Sequence, residues 1–587
     1  MLLIAAMLST TTTTRRLAIG IDVGTGSARA GVVDVASGAL LATHKRDIKT
    51  WSPKPDYFEQ SSEDVWAACA ECVRTSLAMA GASASDVIGI GFDATCSLVC
   101  LDRENKPVGV DPDLRGADER NIILWADHRA NANAAAINAK GHARLATVGG
   151  AISPEMQVPK MLWLKQHLPD AFSRVNSGGK FLDLPDYLTY RATDCADDVR
   201  SLCTVVCKWN YDANGEGTGV GFDRNFLGSV GFADNELSDY TIGARVAAPG
   251  EPVAGGLGPK AAADFGLLAG TKLAVGMIDA HAGGIGSLGA KLNGAGTSSP
   301  SSSPAEASPL SSRLALIAGT STCHMASSSA PCFVPGVWGP YWSAMVPGLY
   351  LNEGGQSAAG SLLDHFVHTH AAYSELEELA RARGVPPTIA LNERLKEMAS
   401  AAGTSVAALA RDVHVTPDAL GNRSPLADPL MRAAVVGLGL SATLDDLAFL
   451  YLAAVQALAY QTRHIIEAME EAGHPPITSV IACGGLSKNV LYVSTHADVL
   501  GRTIYLPVQD EAVLLGAAIL GTVAAGAHPS IAVAMERMSA VGTTVRPDGG
   551  EGGSDVELHE RKYRVFRKMT EDQRVYRNIM AGGNNYL

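Results

Sequence analysis

The stretch Leu17-Ala-Ile-Gly-Ile-Asp22-Val-Gly-Thr25-Gly26 decides the fold class of the chain. Its apolar residues predict a buried strand that ends near Asp22, and the glycines that follow predict a tight turn. The same pattern returns in the second half of the chain, where Arg313-Leu-Ala-Leu-Ile-Ala318 runs into Gly319-Thr-Ser-Thr322. Two strands that each end in a Gly-Thr turn predict an α/β fold made of two related halves that face each other.

Further strands and helices are predicted around both turns. Ser37-Gly38 predicts a hairpin turn between two strands, and Ser61 or Ser62 is the expected cap of the first long helix. The predicted strands are 30–35, 39–43, 87–92 and 478–483, and the predicted helices are 62–80, 447–460 and 556–580.

The composition is that of a globular protein with more than one domain. The chain has 587 residues, of which 47% are hydrophobic and 18% charged, and this balance excludes a largely disordered chain. The formal charge of −13 argues against a nucleic-acid partner, whose phosphates need a basic face. Ten irregularly spaced cysteines do not suit a disulfide framework, so a reducing, cytoplasmic location is expected.

No stretch reaches the roughly 18 uninterrupted apolar residues that a membrane span needs, so no membrane partner is expected. The N-terminal MLLIAAML precedes Ser/Thr residues and Arg15-Arg16, which reverses the order found in a secretory signal. A secretory signal, an organellar presequence and a disordered cytosolic tail over residues 1–16 are the alternatives, and the tail is favoured.

The two Gly-Thr turns are candidate phosphate sites. The sequence has no Walker loop, so a phosphate must be held in another way. Asp22, Gly24 and Thr25 combine a carboxylate that suits Mg²⁺, a glycine that lets backbone N–H groups approach an anion, and a hydroxyl. Gly319-Thr320-Ser321 is the second candidate, so the two turns suit the two sides of a triphosphate. An ordinary Asp-x-Gly-Thr turn is the alternative for the first motif alone.

The segment Gly276-Met-Ile-Asp279-Ala-His281-Ala-Gly283 places a carboxylate where an apolar strand meets a glycine-rich helix start. The positive end of a helix keeps Asp279 ionised, which suits a base that accepts a proton from an alcohol. A helix-capping aspartate is the alternative. His281 is expected to make a local hydrogen bond.

Two other sequence patterns have residue types that could carry chemistry. Gly484-Gly485-Leu-Ser-Lys-Asn489 and the glycine turns after it predict a flat slot for a planar base. The pair Cys69 and Cys72 has the spacing of a metal or redox motif, but no second pair lies near it, so core packing is predicted. Cys203 and Cys207 are likewise predicted to be core residues.

Taken in order, these motifs resemble those of the FGGY carbohydrate kinases. The order is Asp-x-Gly-Thr, Gly-x-x-Asp-Ala-His-Ala-Gly, Ala-Gly-Thr-Ser and Gly-Gly-x-x-x-Asn, and the resemblance covers about residues 17–540. It implies two ribonuclease-H-like domains of the actin-like ATPase superfamily, with a cleft that closes on ATP and a sugar. The first domain is implied to hold mainly the sugar, and the second the nucleotide.

The resemblance also implies roles for individual residues. Asp279 matches the catalytic base, and Asp22 matches the acidic residue at the metal and phosphate. Positions 494–495 are Ser-Thr where many relatives carry Gln, so an adenine contact there is left unassigned. The residues implied to bind ATP are Asp22, Gly24, Thr25, Gly319, Thr320, Ser321, Gly484, Gly485 and Asn489.

The sugar site is implied by segments that resemble the ribulokinase branch of the family. A short polyol needs several fixed partners for its hydroxyl groups, and acidic and basic side chains supply them. Two alternatives are that Asp127 pairs locally with Arg129, and that Lys208 is a solvated surface residue. The implied sugar-binding residues are Asp93, Cys96, Asp127, Lys208, Asp279 and Glu353.

The predicted function is an ATP-dependent kinase that transfers the γ-phosphoryl group to the terminal hydroxyl of a pentulose, with ATP and Mg²⁺ as cofactors. D-Ribulose is the favoured substrate; L-ribulose and D-xylulose are the alternatives, since they differ only in hydroxyl stereochemistry. An actin- or chaperone-like ATPase without a sugar substrate is the alternative from a different class, and a catalytically silent sugar-binding relative is a third. The expected partners are the sugar and ATP, and a homodimer is left open.

The predicted domain boundaries follow the motifs and the composition. Residues 17–292 and 313–545 are the two predicted kinase domains, and residues 293–312, rich in Gly, Ser, Pro and Ala, are a predicted flexible insertion. A tail and a charged helix follow over residues 546–587. Because such an insertion cannot form a core, we expect that deleting residues 295–309 changes turnover less than about threefold.

Overall fold

The computed structural model describes residues 15–114, 118–215, 220–292, 309–548 and 554–582. The predicted N-terminal tail lies outside the described residues except for its last two positions, and the predicted insertion lies outside them except for Pro309–Ser312. Among the residues described, no helix is both long enough and apolar enough to cross a membrane.

The first half of the chain contributes the following elements. Its strands are β1 (Leu17–Val23), β2 (Ser27–Asp34), β3 (Leu40–Asp47), β4 (Glu59–Gln60), β5 (Val87–Ala94), β6 (Leu98–Leu101), β7 (Ile122–Ile123), β8 (Lys180–Asp183), β9 (Val199–Ser201), β10 (Tyr211–Asp212), β11 (Gly221–Phe222), β12 (Arg245–Ala247), β13 (Lys272–Leu273) and β14 (Met277–Ile278). Its helices are α1 (Ser62–Met79), α2 (Asn131–Asn138), α3 (Gln157–His167), α4 (Pro169–Asn176), α5 (Leu184–Ala192), α6 (Leu202–Lys208), α7 (Arg224–Val230), α8 (Asp239–Ile242), α9 (Pro259–Phe265) and α10 (Asp279–Leu288).

The second half contributes fewer strands and longer helices. Its strands are β15 (Arg313–Ala318), β16 (Thr322–Ser328), β17 (Trp338–Trp342), β18 (Tyr350–Gln356), β19 (His414–Thr416), β20 (Ala434–Val436), β21 (Ser479–Cys483), β22 (Thr503–Pro507) and β23 (Val541–Val545). Its helices are α11 (Gly360–Thr369), α12 (Tyr373–Arg383), α13 (Pro387–Ala402), α14 (Val406–Leu409), α15 (Leu444–Glu471), α16 (Val490–Leu500), α17 (Ala512–Ala524), α18 (Ile531–Met538) and α19 (Ser554–Met580).

A mixed sheet lies at the centre of the first half. Its strands follow the order β13-β5-β1-β2-β3, and β14 also pairs with β5. Strand β1 is buried along its whole length, as its apolar sequence requires. Because β1 runs parallel to β5 and antiparallel to β2, Asp22 lies opposite Asp93 on one side and Arg29 on the other. The strand register therefore gathers charged side chains at the end of β1.

The second half repeats this arrangement in a sheet of order β17-β18-β16-β15-β21-β22-β23. Strand β15 runs antiparallel to β16 and parallel to β21, as β1 does to β2 and β5. Each hairpin turns at its Gly-Thr motif. The prediction of a two-part α/β fold with related halves is therefore confirmed.

Helix α17 belongs to the second half in sequence but packs on the sheet of the first half. A Cβ at Gly20 would lie 2.1 Å from the carbonyl oxygen of Leu514, and a Cβ at Gly91 would lie 2.0 Å from that of Ala517. Where α17 crosses α10, a Cβ at Gly286 would lie 1.9 Å from the carbonyl oxygen of Ala512. Such distances admit only glycine, so the two halves meet with backbone against backbone.

The predicted helices are present, with ends that capping groups explain. Helix α1 begins at Ser62, and the side chain of Ser61 accepts a hydrogen bond from the backbone N–H of Asp64. Helix α15 begins at Leu444, before the predicted 447–460, because Thr443 and Asp446 form a capping box there, and it continues past the apolar run to Glu471. An apolar run therefore underestimates the length of a helix that starts at a polar cap and continues into polar residues.

Candidate active site

Three carboxylates meet at the ends of neighbouring strands in the first sheet. Asp22 near the end of β1 lies beside Asp93 near the end of β5, and Asp279 directly follows β14, which pairs with the same part of β5. The side chains of Asp22 and Asp93 are almost completely buried. Because the carboxyl ends of parallel strands share one edge of a sheet, three sequence-distant acids form one cluster.

The cluster concentrates negative charge that the protein itself only partly balances. Burial, followed by the charges of Asp22 and Asp279, raises the pKa of Asp93 well above its usual range. Burial and the charge of Asp22 raise the pKa of Asp279 to about 6. Within the described part of the chain, no N–H or hydroxyl group donates to either carboxylate oxygen of Asp93. The site is therefore suited to a cation or to hydroxyl groups of a ligand.

Arg29 is the nearest counter-ion, and the sequence analysis did not single it out. Its guanidinium forms an ion pair with Asp22, and its Nη1 donates to Oε2 of Glu511 at 2.6 Å. Glu511 immediately precedes α17. Arg29 lies opposite Asp22 in the β1–β2 hairpin, so a prediction of strand pairing across the Gly-Thr turn would have identified it, whereas nothing local pointed to Glu511.

The first Gly-Thr turn is open towards solvent. Thr25 and Gly26 are exposed, and a Cβ added at Gly24 would meet no described atom closer than 3.8 Å. The indole Nε1 of Trp125 donates to Oγ1 of Thr25 at 3.0 Å. The protein's own packing therefore does not require a glycine at position 24, whereas close approach of a phosphate to the backbone would.

The second turn has the same open character. The backbone N–H of Gly319 donates to the carbonyl oxygen of Ser321 at 2.8 Å, and Thr320 is exposed. The carbonyl oxygen of Thr320 accepts from the backbone N–H of Ala359 at 2.9 Å, just before α11. This turn is thus fixed against a helix start while its hydroxyl-bearing side chain faces outward.

The predicted base slot adjoins the second turn. Gly484 has φ +93°, and a Cβ there would lie 2.5 Å from the carbonyl oxygen of Ala318, so glycine is required. Gly485 is exposed and has no described atom within 4 Å of an added Cβ. The side chain of Asn489 caps α16 and donates to the hydroxyl of Tyr451 at 2.6 Å. Asn489 therefore shapes this loop; its contact with a nucleotide stays a prediction.

Lys208 is buried, so the alternative of a solvated surface lysine is wrong. Its ammonium lies 4.2 Å from the ring centre of Trp338, and its side chain is 2% exposed. Burial opposes its charge, but the acidic groups of Cys96 and Glu353 outweigh that effect and raise the pKa of Lys208. Burial raises the pKa of Cys96 to about 12.

Glu353 and Asp127, both predicted to contact the sugar, differ in their surroundings. Glu353 on β18 accepts a hydrogen bond from Nε2–H of His281 at 3.2 Å; burial opposes its ionisation, but Lys208 and His281 lower its pKa. Asp127 is fully buried and accepts from the guanidinium of Arg129 and from the backbone N–H of Phe58. The local pairing of Asp127 with Arg129 is therefore present.

Arg423 also reaches this region, and sequence reasoning missed it. Its Nη2 lies 3.2 Å from Oε1 of Glu155, so the ion pair joins the second half to the first. Its guanidinium also lies 5.3 Å from the ring centre of Trp338. Arg423 lies in the irregular segment between β19 and β20, where no hydrophobic periodicity or motif could have marked it.

The predicted core cysteines are all buried, but Cys203 has a specific partner. Cys69, Cys72, Cys203 and Cys207 are at most 1% exposed. Cys203 Sγ lies 2.8 Å from Nδ1 of His281. Burial opposes both charges. A hydrogen bond from Cys207 and the charge of His281 lower the pKa of Cys203, and the charge of Cys203 with its hydrogen bond raises the pKa of His281.

Two family models match most of the chain. The model of the N-terminal domain of the FGGY family of carbohydrate kinases matches residues 17–286, and that of the C-terminal domain matches residues 314–525. The first match contains all three clustered carboxylates and the first turn. The second contains the second turn and the predicted base slot.

Relatives match over nearly the full length. An FGGY carbohydrate kinase domain-containing protein of Homo sapiens is 48% identical over 566 residues, which cover 96% of this chain and 98% of that protein. A D-ribulokinase of Saccharomyces cerevisiae is 40% identical over 518 residues, which cover 86% of this chain and 71% of that protein. A ribulokinase of Shouchella clausii is 29% identical over 579 residues, covering 94% and 95%.

Solved structures support the same fold. A xylulose kinase from Rhodospirillum rubrum superposes with a TM-score of 0.69 at 21% identity, covering 96% of this chain and 99% of that chain. A ligand-bound xylulose kinase from Lactobacillus acidophilus gives a TM-score of 0.73 at 17% identity, covering 95% and 98%. Family models, relatives and fold agree, and the chain belongs to the FGGY family of carbohydrate kinases.

Proposed function

We propose that this chain is a D-ribulose kinase, which transfers the γ-phosphoryl group of ATP to the terminal hydroxyl of D-ribulose. The observation that carries the proposal is the cluster of Asp22, Asp93 and Asp279 beside the first of two open Gly-Thr turns. The 40% identity to a D-ribulokinase supports the choice of sugar within the kinase family.

Asp279 is the proposed general base. It is the first residue of α10, and its Oδ1 accepts the backbone N–H of Ala280 at 2.7 Å, which orients the carboxylate. Its pKa of about 6 leaves it ionised at neutral pH yet more basic than an ordinary aspartate. It can therefore take the proton from a sugar hydroxyl as the phosphoryl group is transferred.

Asp22 is the proposed ligand of Mg²⁺, with Asp93 next to it. The buried carboxylate of Asp22 is a hard oxygen donor, and Asp22 and Asp93 together are more acidic groups than Arg29 alone can balance, which fits this cation. Bound there, Mg²⁺ would neutralise charge on the phosphates. Arg29 and Glu511 would keep the Asp22 carboxylate in a fixed orientation.

The other predicted residues are proposed to position the two substrates. The phosphates would be held by backbone N–H groups around Gly24 and Gly319 and by the hydroxyls of Thr25, Thr320 and Ser321. The adenosine would be held by the loop of Gly484, Gly485 and Asn489. Asp93, Cys96, Lys208 and Glu353 would contact sugar hydroxyls. Because the oxygens of Asp127 already bind Arg129 and Phe58, we propose that Asp127 fixes the loop carrying Trp125 rather than supplying a free acceptor.

We also propose a cytoplasmic location. All ten cysteines are free thiols, and eight of them are buried. Retention of free thiols suits a reducing compartment.

The proposal is tested by sugar-dependent ADP release in a coupled assay with Mg²⁺. We expect D-ribulose to give the highest kcat/KM, with L-ribulose and D-xylulose at least about tenfold lower, a difference of about 1.4 kcal/mol in the barrier. Glycerol and a no-sugar reaction serve as controls for the acceptor and for hydrolysis by water.

Two outcomes would contradict the proposal at different levels. A tenfold preference for D-xylulose or L-ribulose would change the assigned sugar but keep the pentulose kinase. ADP release that no ketose or polyol raises above the no-sugar rate would instead favour an ATPase of the actin or chaperone kind, which needs no alcohol base.

A further inference from the structure

Three side chains next to the proposed sugar site form a cluster that phosphoryl transfer does not use. Cys203 and Cys207 lie one helical turn apart on α6, and His281 lies in the first turn of α10. One ligand atom from each lies within 4.8 Å of the others, and Cys203 Sγ is 2.8 Å from His281 Nδ1. All three side chains are at most 1% exposed.

The opposite side of the imidazole is already held. Nε2–H of His281 donates to Oε2 of Glu353 at 3.2 Å, which leaves Nδ1 facing the two thiols. Histidines that bind metals generally donate their other ring N–H to a carboxylate or a carbonyl, which fixes the tautomer and the ring orientation. Glu353 and His281 therefore form the outer half of such an arrangement without any rearrangement of the imidazole.

We propose that Cys203, Cys207 and His281 bind a soft divalent metal ion, with Zn²⁺ preferred. Two thiolates and an imidazole select zinc over hard cations such as Mg²⁺. Zinc bonds of about 2.3 Å to sulfur and about 2.0 Å to nitrogen put tetrahedral ligand atoms about 3.5–3.8 Å apart. Cys207 must approach, and the Cys203–His281 pair must open, by about 1 Å or less.

The electrostatics of the cluster suit such an ion in a buried position. Two thiolates and one Zn²⁺ sum to zero charge, so the loaded site does not bury a net charge. The site has three protein ligands, which leaves the fourth tetrahedral position for water. Because Glu353 belongs to the second sheet, the bound ion would link α6 and α10 of the first half to β18 of the second.

The chain offers a matched control. Cys69 and Cys72 also lie one turn apart, on α1, and both are fully buried. Among the described residues, Cys203, Cys207 and His281 are the only group of three or more Cys, His, Asp or Glu side chains whose ligand atoms all lie within 4.8 Å of one another. The Cys69/Cys72 pair thus has the thiols without the histidine.

The test uses the full-length, metal-free protein in a non-thiol reductant, titrated with Co²⁺ and then with Zn²⁺. We expect one Co²⁺ per chain with a thiolate-to-cobalt charge-transfer band, displaced by one equivalent of Zn²⁺. Cys207→Ser, which keeps the Cys203–His281 contact, should weaken Zn²⁺ binding at least about a hundredfold, and Glu353→Gln about tenfold. The double variant C69S/C72S should bind as the parent does.

Three results would overturn the site: no charge-transfer band in the parent, full-affinity Zn²⁺ binding by Cys207→Ser, or loss of binding in C69S/C72S. His281→Asn provides a second, independent ligand removal, and full-affinity binding by its folded form would equally exclude the site. Circular dichroism of each variant confirms that it is folded. Because none of these readouts depends on phosphorylation, failure of the proposed sugar specificity leaves the test valid.

Discussion

The two Gly-Thr turns share one backbone plan but differ in the chemistry around them. At the end of β1, Asp22 pairs in register with Asp93 of β5. At the equivalent place in β15, Ile317 pairs with Cys483 of β21. One turn therefore stands beside buried carboxylates, whereas the other stands beside an apolar side chain and a neutral thiol.

This difference supports the proposal that the two halves of a duplicated fold have different roles in one reaction. A carboxylate pair at the first turn suits a cation and a sugar hydroxyl, and both are needed where the phosphoryl group is transferred. A neutral second turn fits the proposed role of holding phosphate through backbone N–H groups and hydroxyls, because Ile317 and Cys483 carry no carboxylate that would attract a competing cation. The repeated turn supplies the geometry, and the neighbouring strand determines the chemistry.

The largest expected effect comes from removing Asp279, the proposed base in the carboxylate cluster beside the first turn. Asp279→Asn should lower kcat about 10³-fold, because the amide cannot accept the proton of the sugar hydroxyl. Binding of nucleotide, measured by calorimetry, should persist. Asp239→Asn is the control, since Asp239 is also the first residue of a helix, α8, but is exposed. Turnover near that of the parent in Asp279→Asn would remove the contrast between the turns.

Two single substitutions, one at each turn, separate the roles of the two turns. Asp22→Asn should raise the half-saturating Mg²⁺ concentration about tenfold or more, because it removes a charged oxygen ligand. Thr320→Val should instead raise the KM for ATP roughly three- to tenfold with an unchanged Mg²⁺ dependence, since it removes one exposed hydroxyl. Mg²⁺ titrations at fixed ATP and ATP titrations at fixed Mg²⁺ measure both; identical responses would contradict the division of roles.

The free energy of unfolding should depend strongly on Gly484, the glycine of the base slot that packs against the strand end before the second turn. Gly484→Ala should lower the free energy of unfolding by more than about 2 kcal/mol, because φ is +93° and Cβ would lie 2.5 Å from the carbonyl oxygen of Ala318. Gly485→Ala, whose Cβ would meet open space, should stay within about 0.5 kcal/mol. Urea denaturation monitored by fluorescence measures the free energy of unfolding of both variants. Equal losses would show that crowding at Gly484 is not the cause.

The smallest effects concern hydrogen bonds at the rim of each turn. Trp125→Phe removes the donor to Thr25, and Ser361→Ala removes the hydroxyl that donates to the carbonyl oxygen of Thr320 at 3.1 Å. Each should lower kcat/KM about threefold or less, equivalent to about 0.7 kcal/mol. Steady-state assays with ATP varied measure this, and a loss of about a hundredfold from either would assign that side chain a direct role in transfer.

Features that depend on neighbours in sequence could be predicted. The strands before both turns, the helix start at Asp279 and the family itself follow from local patterns that repeat in a fixed order. Ser61 as a cap was also within reach, because a capping side chain lies within three residues of the group it satisfies.

Features that depend on packing between distant segments could not be predicted. The pairing of Asp22 with Asp93 needs the register of two strands, and the ion pair between Arg423 and Glu155 needs the two halves to be assembled. The sequence could not distinguish a surface position of Lys208 from a buried one, because its burial depends on Trp338 and Glu353, far along the chain. No local pattern encodes such contacts.

The glycine-lined contact of α17 has a consequence for the order in which the protein matures. A ribosome completes β1 and β5 long before it reaches Ala512–Ala524, so Gly20, Gly89 and Gly91 stay uncovered during most of synthesis. Chains usually fold domain by domain from the N-terminus as they emerge. Here the glycine-lined face of the first sheet can be covered only after one of the last helices has been synthesised. The nascent first half is therefore the segment with the longest exposure to chaperones and to aggregation.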